Sequence, residues 1–217
     1  NALLDAWLLT GREAYLTRAE ELIGRVVHPT EDIAALDLLN AELRWSYTVF
    51  LSVLARYLAL KAEAGQCDAK YAYGVAVLQH YAAWMVEHER PYLNHPEQLE
   101  FPTETWAAQE LRKANVLRQA ARYVEEPLRG RLRQRAEELA DRGWSDLRRF
   151  DSHDVTRVLA ILMTEGARDA FFRVHEEPAA AVPPPCSFTP RAPFLSRRQR
   201  VHARAKSLHG SVAMLWA

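Results

Sequence analysis

The sequence predicts an all-α protein built from stacked antiparallel helical hairpins. Three observations carry this. Apolar residues recur every three or four positions through most of the first 165 residues. No segment alternates apolar and polar with period two for long enough to make a strand. Breakers fall at intervals that divide the chain into helix pairs, at Thr10-Gly11, His28-Pro29-Thr30, Gly65 to Asp68, Pro91 to Pro102 and Glu125-Glu126-Pro127.

The first helix is expected over about 2–9, ending at Thr10-Gly11. The second, about 13–27, carries Tyr15, Leu16, Ala19, Leu22, Ile23 and Val26 on one stripe. A long apolar helix follows over about 40–64, then an aromatic-rich one over about 69–89 with Tyr71, Tyr73, Tyr81 and Trp84. The loop 91–102 is bounded by prolines. After it, Thr103 is the expected N-cap, and Glu104 falls in the first turn, where the helix dipole favours negative charge. That helix reaches Val124, with Ala107, Leu111, Ala114, Leu117, Ala121 and Val124 facing a core. Another runs to about 150, and a further one from 151 to about 166. Residues 178–193 hold six of the eleven prolines and read as an extended linker. The domain reading is a helical-hairpin domain over 1–175, a Pro-rich linker over 176–194 and a basic tail over 195–217.

Composition narrows the function. Acidic and basic residues balance at 28 each, but residues 186–217 carry six basic residues and no acid. The remainder is acidic, with a net charge of about −6, which disfavours nucleic acid as a partner. The arginines at 129, 131, 133, 135 and 142 read as a solvated helix face neutralised by Glu137, Glu138 and Asp141. The apolar run from Trp45 to Leu60 is broken by Arg56 and is too short to span a bilayer. Cys67 and Cys186 make no disulfide framework and no metal motif, and His88 and His95 lack metal-ligand spacing, so no metal or cofactor is expected. The chain opens at Asn1 in helical pattern and reads as a piece of a longer protein. A soluble protein is expected, with the cytoplasm favoured.

Arg18-Ala-Glu-Glu-Leu22 recurs identically as Arg135-Ala-Glu-Glu-Leu139, and each copy lies in the second helix of a pair. Helix pairs at about 1–27, 40–89 and 103–149, with a fourth beginning near 153, fit a repeat of about 58 residues. The run from Asp5 to Leu22, with Thr10-Gly11 closing one helix and Tyr15-Leu16 opening the packing of the next, resembles the hairpins of the six-hairpin glycosidase-like (α/α) toroid proteins. Phe101-Pro-Thr-Glu-Thr-Trp-Ala-Ala108 likewise looks like the start of an inner toroid helix. The resemblance covers about 1–165 and implies a partial (α/α) toroid, since six hairpins would need about 350 residues at this period. It also implies carbohydrate chemistry, that of a hydrolase, lyase, epimerase or inactive relative, with a saccharide as ligand.

Alternating helices should send the connections 28–39, 91–102 and 149–154 to one end of the stack. Of these, 91–102 is the longest and holds the most chemistry. Carboxylates flanking a sugar can serve as general acid and as base or nucleophile. On this reading Glu100 or Glu104 is one catalytic partner and Asp154 the other. His95, Trp106, Tyr92 and His153 are the expected substrate-binding residues, the aromatics offering faces to a sugar. Capping of helix ends and core packing are the competing roles for these residues. Ser152-His153-Asp154 has the letters of a catalytic triad, but neighbours in sequence cannot form its relay. The alternative function is a non-catalytic helical scaffold that binds a protein partner. Oligomeric state has no signature in the sequence.

Overall fold

A computed structural model of the protein describes residues 1–151, 155–175, 180, 183 and 186–188. All regular secondary structure among these residues is helical, with no strand. Helix α1 (Ala2–Thr10) ends where Gly11 adopts a left-handed conformation, φ 65°, and returns its N–H to the Trp7 carbonyl. Glycine takes this conformation without steric cost, so the chain can reverse within two residues into α2 (Glu13–Val26). α3 (Ala41–Arg44) is capped by the Asn40 side chain, which accepts from Leu43 N–H, and runs through Trp45 into α4 (Ser46–Glu63). Asp68 caps α5 (Ala69–His88), accepting from the Lys70 and Tyr71 N–H groups at 3.0 and 2.9 Å. α6 (Glu104–Ala121) and α7 (Leu128–Leu147) follow. Thr103 occupies the N-cap position of α6 in extended conformation, but its hydroxyl makes no capping bond. α8 (Thr156–Ile161) passes through a π-turn over 162–166 into α9 (Ala167–Val174). The last helical stretch therefore starts later and ends later than its sequence pattern indicates.

Sequential helices pack as pairs, α1 with α2, α4 with α5, and α6 with α7. α6 is the centre of the molecule and also touches α4, α5, α8 and α9. The expected stripe of Ala107, Leu111, Ala114, Leu117 and Ala121 is buried, and so are Gln109, Glu110, Lys113 and Asn115 on its other sides. Alanines let the neighbours close in. Gly143 of α7 lies so near that a Cβ there would stand 3.0 Å from the Ala107 carbonyl oxygen and 3.0 Å from the Glu110 Cβ.

The contacts sort the connections by end. The turn before α2 meets the turn before α5 through Gln66 and Glu13, 3.4 Å apart. At the other end Glu42 accepts from the Glu100 N–H at 2.7 Å, and Leu93 and Phe150 pack into one apolar cluster. The expected linker and tail lie largely outside the described residues. Within the linker, the Ala180 N–H donates to the Arg122 carbonyl at 2.9 Å, and the Phe188 ring meets Tyr73 edge-on at 5.4 Å.

Candidate functional site

Where α3, the end of α5 and the loop before α6 meet, a cleft of about 290 Å³ opens to solvent. Leu38, Leu39 and Leu99 give it apolar walls, while Arg90, His95 and Gln98 line its polar side. Glu89 and Lys113 form its floor.

Lys113 is fully buried on α6, and its ammonium is saturated. It contacts Glu89 Oε2 at 2.8 Å and Glu110 Oε1 at 2.9 Å. It donates to the Arg90 carbonyl at 2.7 Å and lies 3.3 Å from the centre of the Tyr92 ring. Glu89 accepts in addition from the Tyr47 hydroxyl and from the Arg90 N–H. Glu110 Oε1 also accepts from the Tyr92 N–H at 3.2 Å. Burial pushes the Glu110 carboxyl up to about 7, with Glu89 adding to the shift and Lys113 opposing it. Burial alone would lower the Lys113 pKa; Glu110 and Glu89 reverse this and hold the ammonium charged. Burial followed by Glu89 raises the Tyr47 phenol, which stays neutral as a donor.

The residues singled out in the sequence divide. Tyr92 and His95 line the cleft. Tyr92 is buried and His95 stands exposed on the rim, its Nδ1 3.2 Å from Glu97. Glu100 is exposed and engaged through its backbone with Glu42, and Glu104 is half-buried in the first turn of α6; neither lines the cleft. Trp106 is core. Its indole donates to the Phe101 carbonyl at 3.0 Å and its ring packs 5.1 Å from Tyr92, beneath the loop. His153 and Asp154 lie outside the described residues.

Sequence reasoning missed Glu89, Glu110, Lys113 and Tyr47. A signal existed in part. Trp106, Glu110, Lys113 and Leu117 follow a 4-3-4 spacing, which puts the ionisable pair on one helix face with an indole and a leucine.

Two other ionic clusters lie outside the cleft. Lys61 of α4 contacts Glu20 at 2.7 Å and Asp68 at 2.8 Å, which ties α2 to the start of α5. Tyr57 donates to the same Glu20 oxygen at 3.0 Å. Between α6 and α9, buried Glu165 and Asp169 meet Arg112, Asn115, Arg118, Trp144 and Arg173. Burial would raise the Asp169 carboxyl, but hydrogen bonds from Arg118, Trp144 and Arg173 bring it below its ordinary value. Among the described residues no group of three or more His, Cys, Asp or Glu side chains is placed to hold a metal ion. Nor is any helix among them long and apolar enough to cross a membrane. Cys67 and Cys186 are free and exposed.

The described residues thus define an all-α protein with an ionic triad under an open cleft. Comparison of the chain with protein-family models, with curated proteins and with solved structures gives no match.

Proposed function

We propose that the protein is a carbohydrate-active protein of the helical-hairpin toroid class, with its saccharide site in the cleft above Lys113. The observation that supports this is the pair of carboxylates, Glu89 and Glu110, held on one ammonium at 2.8 and 2.9 Å beneath that cleft. Glu89 lines the cleft floor and is the carboxylate nearest the ligand, its oxygens oriented by Tyr47, Lys113 and the Arg90 N–H. Glu110, pushed up to about 7, exchanges its proton near neutral pH and sets the charge of the floor. On this reading Glu89 takes the role expected of Glu100 or Glu104.

A glycan-array screen followed by turnover assays tests the reading. The wild type should select a small set of glycans. Glu89→Gln should abolish turnover; because it also breaks a buried ion pair and lowers stability, its fold is checked by circular dichroism and turnover is measured well below its melting temperature. A screen without hits, or full activity in Glu89→Gln, would overturn it.

A second reading, a scaffold for a protein partner, draws on an apolar groove of about 470 Å³ between α1, α2 and α4. Leu22 and Val26 are exposed on its wall. Charged substitutions at these two positions would abolish such an association and leave glycan binding intact.

A further inference from the structure

Among the described residues, the cleft above Lys113 presents one unpaired guanidinium, that of Arg90, and no unpaired carboxylate. Its one lining acid, Glu89, has both oxygens engaged, Oε1 by the Tyr47 hydroxyl and Oε2 by Lys113 and the Arg90 N–H. Four backbone carbonyls around it already hold donors. That of Glu89 accepts from Arg135 at 2.6 Å, that of Arg90 from Lys113, that of Pro91 from the Asn94 N–H, and that of His95 from the Gln98 N–H. Glu97, the nearby exposed acid, is turned to His95.

The donors are in the opposite state. The Arg90 guanidinium is exposed and makes no ion pair or hydrogen bond with the described residues, and the Gln98 amide is also exposed. A neutral sugar would leave the charge of the guanidinium unmatched. A carboxylate brings only acceptors, and its planar shape matches the fork of a guanidinium.

We propose that the ligand of this cleft is an acidic saccharide whose carboxylate is received by Arg90 and Gln98. The proposal rests on the saccharide reading above and deepens it. The apolar walls of Leu38, Leu39 and Leu99 then face the ring carbons. Glu89, held by its three donors, stays fixed while the carboxylate docks.

Calorimetric titration of the full chain with a uronic-acid trisaccharide and with a neutral hexose trisaccharide tests this. The acidic ligand should bind at least tenfold tighter, and the preference should shrink as salt rises. Arg90→Ala should abolish the preference. Arg90→Lys should keep only part of it, because it retains the charge and loses the fork. Arg90 is exposed, so both variants should melt as the wild type does. Neutral saccharide bound as well as acidic, or a preference unchanged in Arg90→Ala, overturns the proposal and leaves the saccharide reading standing. If neither saccharide binds and the glycan screen is also empty, the saccharide reading falls and this proposal with it.

Discussion

Lys61 and Lys113 are built from the same parts. Each is a buried lysine on a central helix, gripped by two carboxylates beside a tyrosine ring. They differ in what surrounds the carboxylates. The partners of Lys61 keep water, with Glu20 13% and Asp68 53% exposed. Those of Lys113 do not, with Glu89 3% and Glu110 1% exposed. Beside Lys61, the Asp68 carboxyl falls below its ordinary value: burial would raise it, but hydrogen bonds from Lys61 and from its own helix N-terminus prevail. Beside Lys113, the Glu110 carboxyl rises. One arrangement of charge therefore yields a structural tie at a wet helix junction and a titrating group under a dry one. Dehydration and the donors that oppose it together set the direction of each shift.

The sharpest test of that contrast removes each lysine in turn. Lys113→Met strands two dehydrated carboxylates and should cost about 3–5 kcal/mol in urea denaturation. Lys61→Met leaves carboxylates that can rehydrate and should cost only about 1–2 kcal/mol. Equal losses would break the comparison.

The next effect is on pH dependence. Burial holds the Glu110 carboxyl at about 7 against an ordinary 4.5, so the fold favours its protonated form. Its contribution to stability is whole below about pH 4.5 and is lost as pH rises through 7, an effect of about 3 kcal/mol. Glu110→Gln cannot titrate. Between pH 5 and pH 8 the stability of the wild type should therefore fall relative to this variant by about 2–3 kcal/mol. A gap that stays constant would mean that Glu110 is not dehydrated. The smallest difference is in the phenols. Tyr47→Phe removes a donor to a dry carboxylate and should cost about 1.5–3 kcal/mol, against about 0.5–1.5 kcal/mol for Tyr57→Phe beside the wetter Glu20. Paired melts of the two variants would read that difference.

The sequence announces what local patterns encode. α2, α5 and the inward stripe of α6 are legible because an apolar periodicity and a breaker specify each of them. Glu110, Lys113 and Asn115 read as the solvent side of α6, but they are buried, because helices distant in sequence cover them. Glu89 lies on the preceding helical hairpin and Glu165 fifty residues beyond Asn115, so nothing nearby in the chain marks either partner. The repeated pentapeptide shows the same limit. Arg18–Glu21 and Arg135–Glu138 form the same ion pair, at 2.6 and 2.7 Å. Yet Leu22 is 39% exposed and Leu139 not at all. Identical residues fix an identical surface bond and leave burial to the neighbours. The loop 91–102 stood out by its length and its prolines, and it lines the cleft. Glu97 and Glu100 within it stay exposed, whereas the helix acid Glu110 beneath it and Glu89 at the end of α5 are buried.

α6 carries the cleft floor on one side and the Glu165–Asp169 cluster on another, through adjacent residues. Lys113 holds Glu89, and Arg112, one position earlier, holds Glu165 at 3.4 Å. The position of α6 therefore serves both places at once: a substitution that shifts the helix enough to draw Lys113 from Glu89 is expected to displace Arg112 from Glu165 as well.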